Sequence, residues 1–147
     1  MFLAISGTSI IGCFIDSSGK THGFAYNGIW MTINDPLGTN GTFTLGYNEP
    51  STVVGYFIDS NSRTNGFIST GNVDEGIPPY TGTFTTLDDP LGTSYTKVMG
   101  VSGSNIVGTY SNGTQSYGFV ATPVPEPATW IDVLLSVYGL ILLRKRI

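Results

Sequence analysis

Short apolar runs broken by one glycine recur along the chain. Residues 9–16 (SIIGCFID), 52–59 (TVVGYFID) and 105–112 (NIVGTYSN) align position for position. Each is followed by a second apolar stretch: 22–26 (HGFAY), 65–69 (NGFIS) and 117–121 (YGFVA). A third element occurs at 32–39 (TINDPLGT) and 86–93 (TLDDPLGT). A fourth precedes the first, at 43–48 (FTLGYN) and 97–102 (KVMGVS), with a weaker copy at 2–6. None of these runs has a helical stripe. β-Branched and aromatic residues between turn residues predict strands.

The pattern predicts four short strands per unit. Val53, Val54, Tyr56 and Phe57 form a run suited to a strand covered on both faces. The central glycine leaves room for close backbone approach or a bulge. The stretches 16–19 (DSSG) and 59–62 (DSNS) supply turn chemistry. Pro36 and Pro90, which cannot donate to a ladder, end the last strand. Asp35 and Asp89 read as turn caps rather than Ca²⁺ ligands, because no Asp-x-Asp-x-Asp-Gly loop is present. Gly12 and Gly55 lie 43 residues apart, and Gly55 and Gly108 lie 53 apart. The excess matches an insertion at 71–80, which is expected to be a surface loop. Residues 1–122 therefore read as about two and a half units, the third lacking its last strand. Met1 and the apolar residues after it read as a buried strand rather than a signal segment, since a basic start and a full apolar core are missing.

This order of elements resembles the HAF-type extracellular repeats over residues 1–122. The resemblance implies a propeller-like architecture and an outer-surface setting. Asn65 and Tyr117 stand where the first unit has His22. The fold class expected is all-β, in repeated four-stranded, propeller-like units that form a partial or open array. A C-terminal transmembrane helix completes it.

After Thr122 the composition changes. Residues 123–127 (PVPEP) contain three prolines and favour an extended linker. An apolar run follows, carried by Trp130, Leu134, Leu135, Val137, Leu140, Ile141, Leu142 and Leu143. Arg144, Lys145 and Arg146 then form a basic end. As a helix, about 14 residues span about 21 Å, short of a hydrocarbon core of roughly 30 Å unless flanking side chains snorkel. The three cations would remain on the cytoplasmic side. This tail, residues 123–147, resembles the PEP-CTERM sorting signal in Val124, Pro125, Glu126 and Pro127, in the apolar segment with Gly139, and in the basic end. Asp132 departs from that pattern. The resemblance implies an exosortase-type sorting enzyme and the inner membrane as partners. It also implies export, transient anchoring, and delivery to the cell surface or extracellular matrix of a Gram-negative bacterium.

Charged residues are 11% of the 147, and the body holds only Lys20, Arg63 and Lys97 as cations. That leaves nucleic-acid binding without an electrostatic footing. His22 is the only histidine and Cys13 the only cysteine, which excludes multi-histidine zinc sites and an internal disulfide. A Cys13–His22 nucleophile–base pair is weighed against a buried cysteine acting as a small hydrophobe, and the second is preferred. Asp88 and Asp89 are sequence neighbours, and in a strand they would point to opposite faces. The chain is read as non-enzymatic, with no catalytic residue, metal or cofactor. The expected function is an exported surface or matrix structural protein. The alternative is a glycan-binding propeller-like module, with Trp30, Tyr26, Tyr80 and Tyr95 stacking on an extracellular polysaccharide.

Overall fold

The computed structural model describes residues 1–73, 78–123 and 142–146, and among them there is strand but no helix. The sorting motif Val124, Pro125, Glu126 and Pro127 lies outside the described residues, as does the expected anchor from Trp130 to Ile141. So do Asp74 and Glu75 in the insertion.

The strands run in chain order as antiparallel meanders. β1 (Phe2–Ser6), β2 (Ser9–Ile15), β3 (Thr21–Tyr26) and β4 (Trp30–Ile33) form one four-stranded sheet. β5 (Gly41–Asn48), β6 (Thr52–Ile58), β7 (Thr64–Thr70) and β8 (Thr83–Thr86) form a second meander. β9 (Tyr95–Ser102), β10 (Asn105–Ser111), β11 (Ser116–Pro123) and β12 (Leu142–Arg146) form a third. One parallel bridge, Thr64 to Tyr95, joins the last two into a single eight-stranded sheet. The two sheets are open.

Each meander is built the same way. The pairing of its first two strands shifts register, between Phe2 and Ala4, Thr44 and Gly46, and Val107 and Gly108. The shift pushes a first-strand carbonyl toward the central glycine of the second strand. A Cβ on Gly12 would run into the Met1 carbonyl, one on Gly55 into that of Phe43, and one on Gly108 into that of Lys97. The same Cβ would also meet the ring of Phe24, Phe67 or Phe119. This crowding is the physical reason for the glycine that marks every unit.

The meanders pack face to face, and the relation repeats. β5 lies against β1, β2 and β3, and β9 lies against β5, β6 and β7. Ile11, Ala25, Met31 and Ile33 of the first unit join Tyr47, Val53, Phe57 and Phe67 of the second in one core. Val54, with Ile68 and Leu87 beside it, joins Val98, Ile106, Tyr110, Phe119 and Ala121 in the other. Val53 and Val54 are both 0% exposed, as expected for a strand covered on both faces. Each such side chain contributes about 1.5–3 kcal/mol by its burial.

Three expectations need correction. Ile5 is 75% exposed while Ala4 packs against the first core, so β1 is a strand that is not covered on both faces. β1 is an edge strand of its sheet. The insertion is not simply a surface loop. Val73 is 0% exposed in the first core, its carbonyl accepts the Asn27 side-chain amide at 2.9 Å, and Tyr80 packs against the same core. Finally, Leu142, Leu143, Arg144, Lys145 and Arg146 form β12, while the rest of the expected helix lies outside the described residues. Its backbone pairs antiparallel with Phe119–Pro123 of β11. It thereby fills the fourth position that the third unit was expected to lack. An unpaired edge such as that of β11 is a template for any extended segment within reach.

Candidate functional site

The turn after each second strand is capped by the side chain of its first residue. The Asp16 carboxylate accepts the Ser18 N–H at 2.8 Å, the Ser18 hydroxyl at 2.6 Å and the Lys20 N–H at 3.0 Å. Asp59 accepts the Asn61 and Arg63 N–H groups at 2.8 and 3.0 Å. Asn112 accepts the Thr114 and Gln115 N–H groups at 3.0 and 2.9 Å. The bonds from Ser18, then His22, then the Lys20 N–H hold the Asp16 carboxyl far below the usual carboxylate range. The Arg63 N–H leads the same effect at Asp59. The left-handed residue is Gly19 (φ 86°) or Ser62 (φ 63°), three after the aspartate, whereas in the shorter third turn it is Gly113 (φ 94°), directly after Asn112.

The connector between units is a second repeated device. Asp35 and Asp89 each accept an N–H two residues on, from Leu37 and Leu91, both at 2.8 Å. Their own N–H groups donate to buried threonines, Thr42 and Thr96, both at 3.0 Å. These carboxylates cap turns, as their spacing suggested. The neighbouring Asp88 instead accepts the Gly66 N–H at 3.1 Å and lies 3.8 Å from Arg63, so the two acids do not converge.

Cys13 and His22 do not form a pair. Cys13 sits opposite Gly23, while His22 sits opposite Phe14, the next residue on β2 and on the other face. The Cys13 thiol is buried, donates to the Thr44 carbonyl at 3.6 Å, and is pushed up in pKa by burial. The His22 ring spans Asp16 and Asn34, with each ring nitrogen 2.9 Å from a side-chain oxygen. Its role is to tie the first turn to the end of β4. Asn65 does the corresponding work in the second unit, donating to Asp59 at 3.3 Å.

The most chemically distinctive surface is an aromatic face on the first sheet. Trp30 opens β4 and pairs in register with Tyr26 at the end of β3. Its ring stacks on Phe24 at 4.2 Å and 12°, meets Phe14 edge-on at 5.8 Å, and lies 6.5 Å from Tyr26. Phe14 in turn stacks on His22 at 5.2 Å. Trp30 is 48% exposed and Tyr26 41%.

No protein-family model matches the chain, and no curated protein and no solved structure matches it.

Of the four aromatics singled out in the sequence, the fold therefore brings two together. Tyr80 is turned inward, its hydroxyl 2.8 Å from that of Ser69. Tyr95 donates to the Ser116 hydroxyl at 2.9 Å and lies under the Lys97 ammonium. Phe14, Phe24 and His22 complete the aromatic face and were missed. Period-two alternation along 22–26 and 10–14 was the signal that could have found them. A hollow of about 360 Å³ beside the first connector is lined by Leu37, Phe57, Asp59 and Asn65, whose polar groups already bond to each other and to the turn. Among the described residues, no three His, Cys, Asp or Glu side chains gather, and no helix is long and apolar enough to cross a membrane.

Proposed function

We propose that the chain is an exported, non-enzymatic structural protein of the cell surface or extracellular matrix. In this reading, residues 1–122 are HAF-type repeat units of propeller-like form, and residues 123–147 are a PEP-CTERM-like sorting and anchoring tail. The observation that carries the first part is the use made of the polar side chains. Asp16, Asp59 and Asn112 cap equivalent turns, Asp35 and Asp89 cap equivalent connectors, and His22 and Asn65 brace equivalent hairpins. Groups that could do chemistry are engaged in holding the repeat. The ordered features of the tail support the second part: Val124, Pro125, Glu126 and Pro127, then the apolar segment, then Arg144, Lys145 and Arg146.

Anchoring requires Leu142–Arg146 to leave β11, because a segment paired at a sheet edge cannot lie in a bilayer at the same time. The partners in this reading are an exosortase-type enzyme and the inner membrane, with no cofactor. The test is expression with an exosortase. Glu126→Ala should stay membrane-inserted and unprocessed, whereas neutral replacements at Arg144, Lys145 and Arg146 should disturb orientation. Processing of the Glu126 variant at the wild-type rate would remove the sorting role.

A second reading, a glycan-binding module, is favoured by one observation: the exposed, stacked Trp30 with Tyr26 beside it. Loss of polysaccharide pull-down in Trp30→Ala, with the fold intact, would support it.

A further inference from the structure

Asparagine followed by glycine occurs four times in the chain, at Asn27–Gly28, Asn40–Gly41, Asn65–Gly66 and Asn112–Gly113. Glycine has no Cβ to hinder its own nitrogen, so such a pair can cyclise by attack of that nitrogen on the preceding side-chain amide. The four sites hold the amide differently. In three of them the bonds lie on the nitrogen that cyclisation would expel. Asn27 Nδ2 donates to the Val73 carbonyl at 2.9 Å, and Asn40 Nδ2 to the Asp59 carbonyl at 2.7 Å. Asn65 Nδ2 donates to the Asp59 carboxylate at 3.3 Å and to the Arg63 carbonyl at 3.2 Å. At Asn112 the bonds lie on the oxygen instead. Oδ1 accepts the Thr114 N–H at 3.0 Å, the Thr114 hydroxyl at 2.8 Å and the Gln115 N–H at 2.9 Å. Backbone N–H groups can only donate, so they identify this atom as the oxygen. The Gly113 N–H donates to the Ser111 hydroxyl at 3.1 Å, and that hydroxyl donates to the Gln115 carbonyl at 2.8 Å. Asn112 is exposed, and so are the equivalent turn bonds at Asp16 and Asp59 in the two preceding units. Access to water therefore belongs to the turn itself.

We propose that Asn112 is a site of spontaneous deamidation, favoured by the folded turn. Hydroxide removes the Gly113 N–H proton, and the nitrogen forms a bond to Cγ of Asn112. Oδ1 becomes an oxyanion at the point where the Thr114 N–H, the Thr114 hydroxyl and the Gln115 N–H are already aimed. Donors fixed in advance around a developing oxyanion lower the barrier to the tetrahedral species. The oxyanion collapses, Nδ2 takes a proton from water and leaves as ammonia, and a cyclic imide remains. Water then opens the imide at one carbonyl to give aspartate, or at the other to give isoaspartate. Aspartate at position 112 makes the third turn match those of Asp16 and Asp59. Isoaspartate lengthens the main chain by a methylene inside the turn. The inference does not depend on the tail or on export.

The test holds the full chain at mildly alkaline pH, in buffer and in concentrated urea, and follows each asparagine by peptide mass mapping. Water enriched in heavy oxygen marks the atom gained. In buffer, Asn112 should convert at least about tenfold faster than Asn27, Asn40 or Asn65. In urea, where the turn is lost, the four sites should convert at similar rates. Thr114→Val deletes the hydroxyl donor and keeps both backbone N–H groups. It should melt like wild type and slow conversion at Asn112 severalfold. A rate at Asn112 no greater than at the other three sites in buffer overturns the proposal. So does a lead for Asn112 that persists undiminished in urea, which assigns it to the local sequence rather than to the fold. An unchanged rate in Thr114→Val overturns the part given to the donors on Oδ1.

Discussion

Replacing Thr96 by valine keeps the side-chain volume and deletes one hydroxyl. That hydroxyl accepts the Asp89 N–H at 3.0 Å, and Thr96 is 0% exposed. Water cannot replace it, so the variant leaves a buried N–H without this partner, a loss of about 1–3 kcal/mol. Thr42 stands in the same relation to Asp35, also at 3.0 Å and also 0% exposed. Thr42→Val should therefore cost the same amount within experimental error. The two connectors lie in different units, so the double variant should cost the sum, about 2–6 kcal/mol. Urea unfolding of the full chain, followed by tryptophan fluorescence and circular dichroism, gives these values from the midpoint and slope. Thr83→Val, on exposed β8, is the control and should lie within about 0.5 kcal/mol of wild type. If both buried variants also fall inside that window, the connector is not a structural device. Strongly unequal costs would mean that the two junctions are not equivalent.

Four further outcomes are expected. Asp59→Ala should lower the urea midpoint through the lost turn bonds, and Asp59→Asn should retain most of it, because Asn112 caps the third turn. Asp16 and Asp59 titrate below their unfolded values, so their contribution is present above about pH 4 and is lost as pH falls through their folded values. Burial raises Asp35 and Asp88, which act in the opposite sense: their contribution is present below the unfolded value and lost as pH rises through the folded one. Urea midpoints from about pH 5 down to pH 2 should accordingly fall less in the double variant Asp16→Asn, Asp59→Asn than in wild type. Val73→Ala should cost about 2 kcal/mol in the same unfolding assay, and no change would return the insertion to the surface. The Cys13 thiol should react with a chromogenic disulfide only at the rate of unfolding, because it is buried and its pKa is raised.

The strands were legible because the signals for them are local. Alternation, β-branched residues and the glycine at 12, 55 and 108 all point the same way, and Asp35 and Asp89 carry their capping role in the spacing to the following proline and glycine. What packs against what was not legible. Val54 and Val107 occupy the same place in nearly the same motif, yet one is 0% exposed and the other 44%. Val54 is covered by residues of the third unit, which no window of sequence around it contains. Val73 was hidden for a related reason: it sits in a segment that breaks the repeat, so no periodicity marks it as core. His22 drew attention as a lone histidine, but its role depends on Asp16 and Asn34 meeting it across two turns. Leu142–Arg146 has no alternation of its own, and its strand follows from the free edge of β11.

Export with C-terminal processing can be read from the intact mass of the protein recovered from the surface fraction of an exosortase-bearing host. The expected result is a surface form shortened at its C-terminal end, and accumulation of the unshortened form in the membrane when the exosortase is removed. Recovery of the full tail through Arg144, Lys145 and Arg146 at the surface, unchanged by loss of the exosortase, would contradict it.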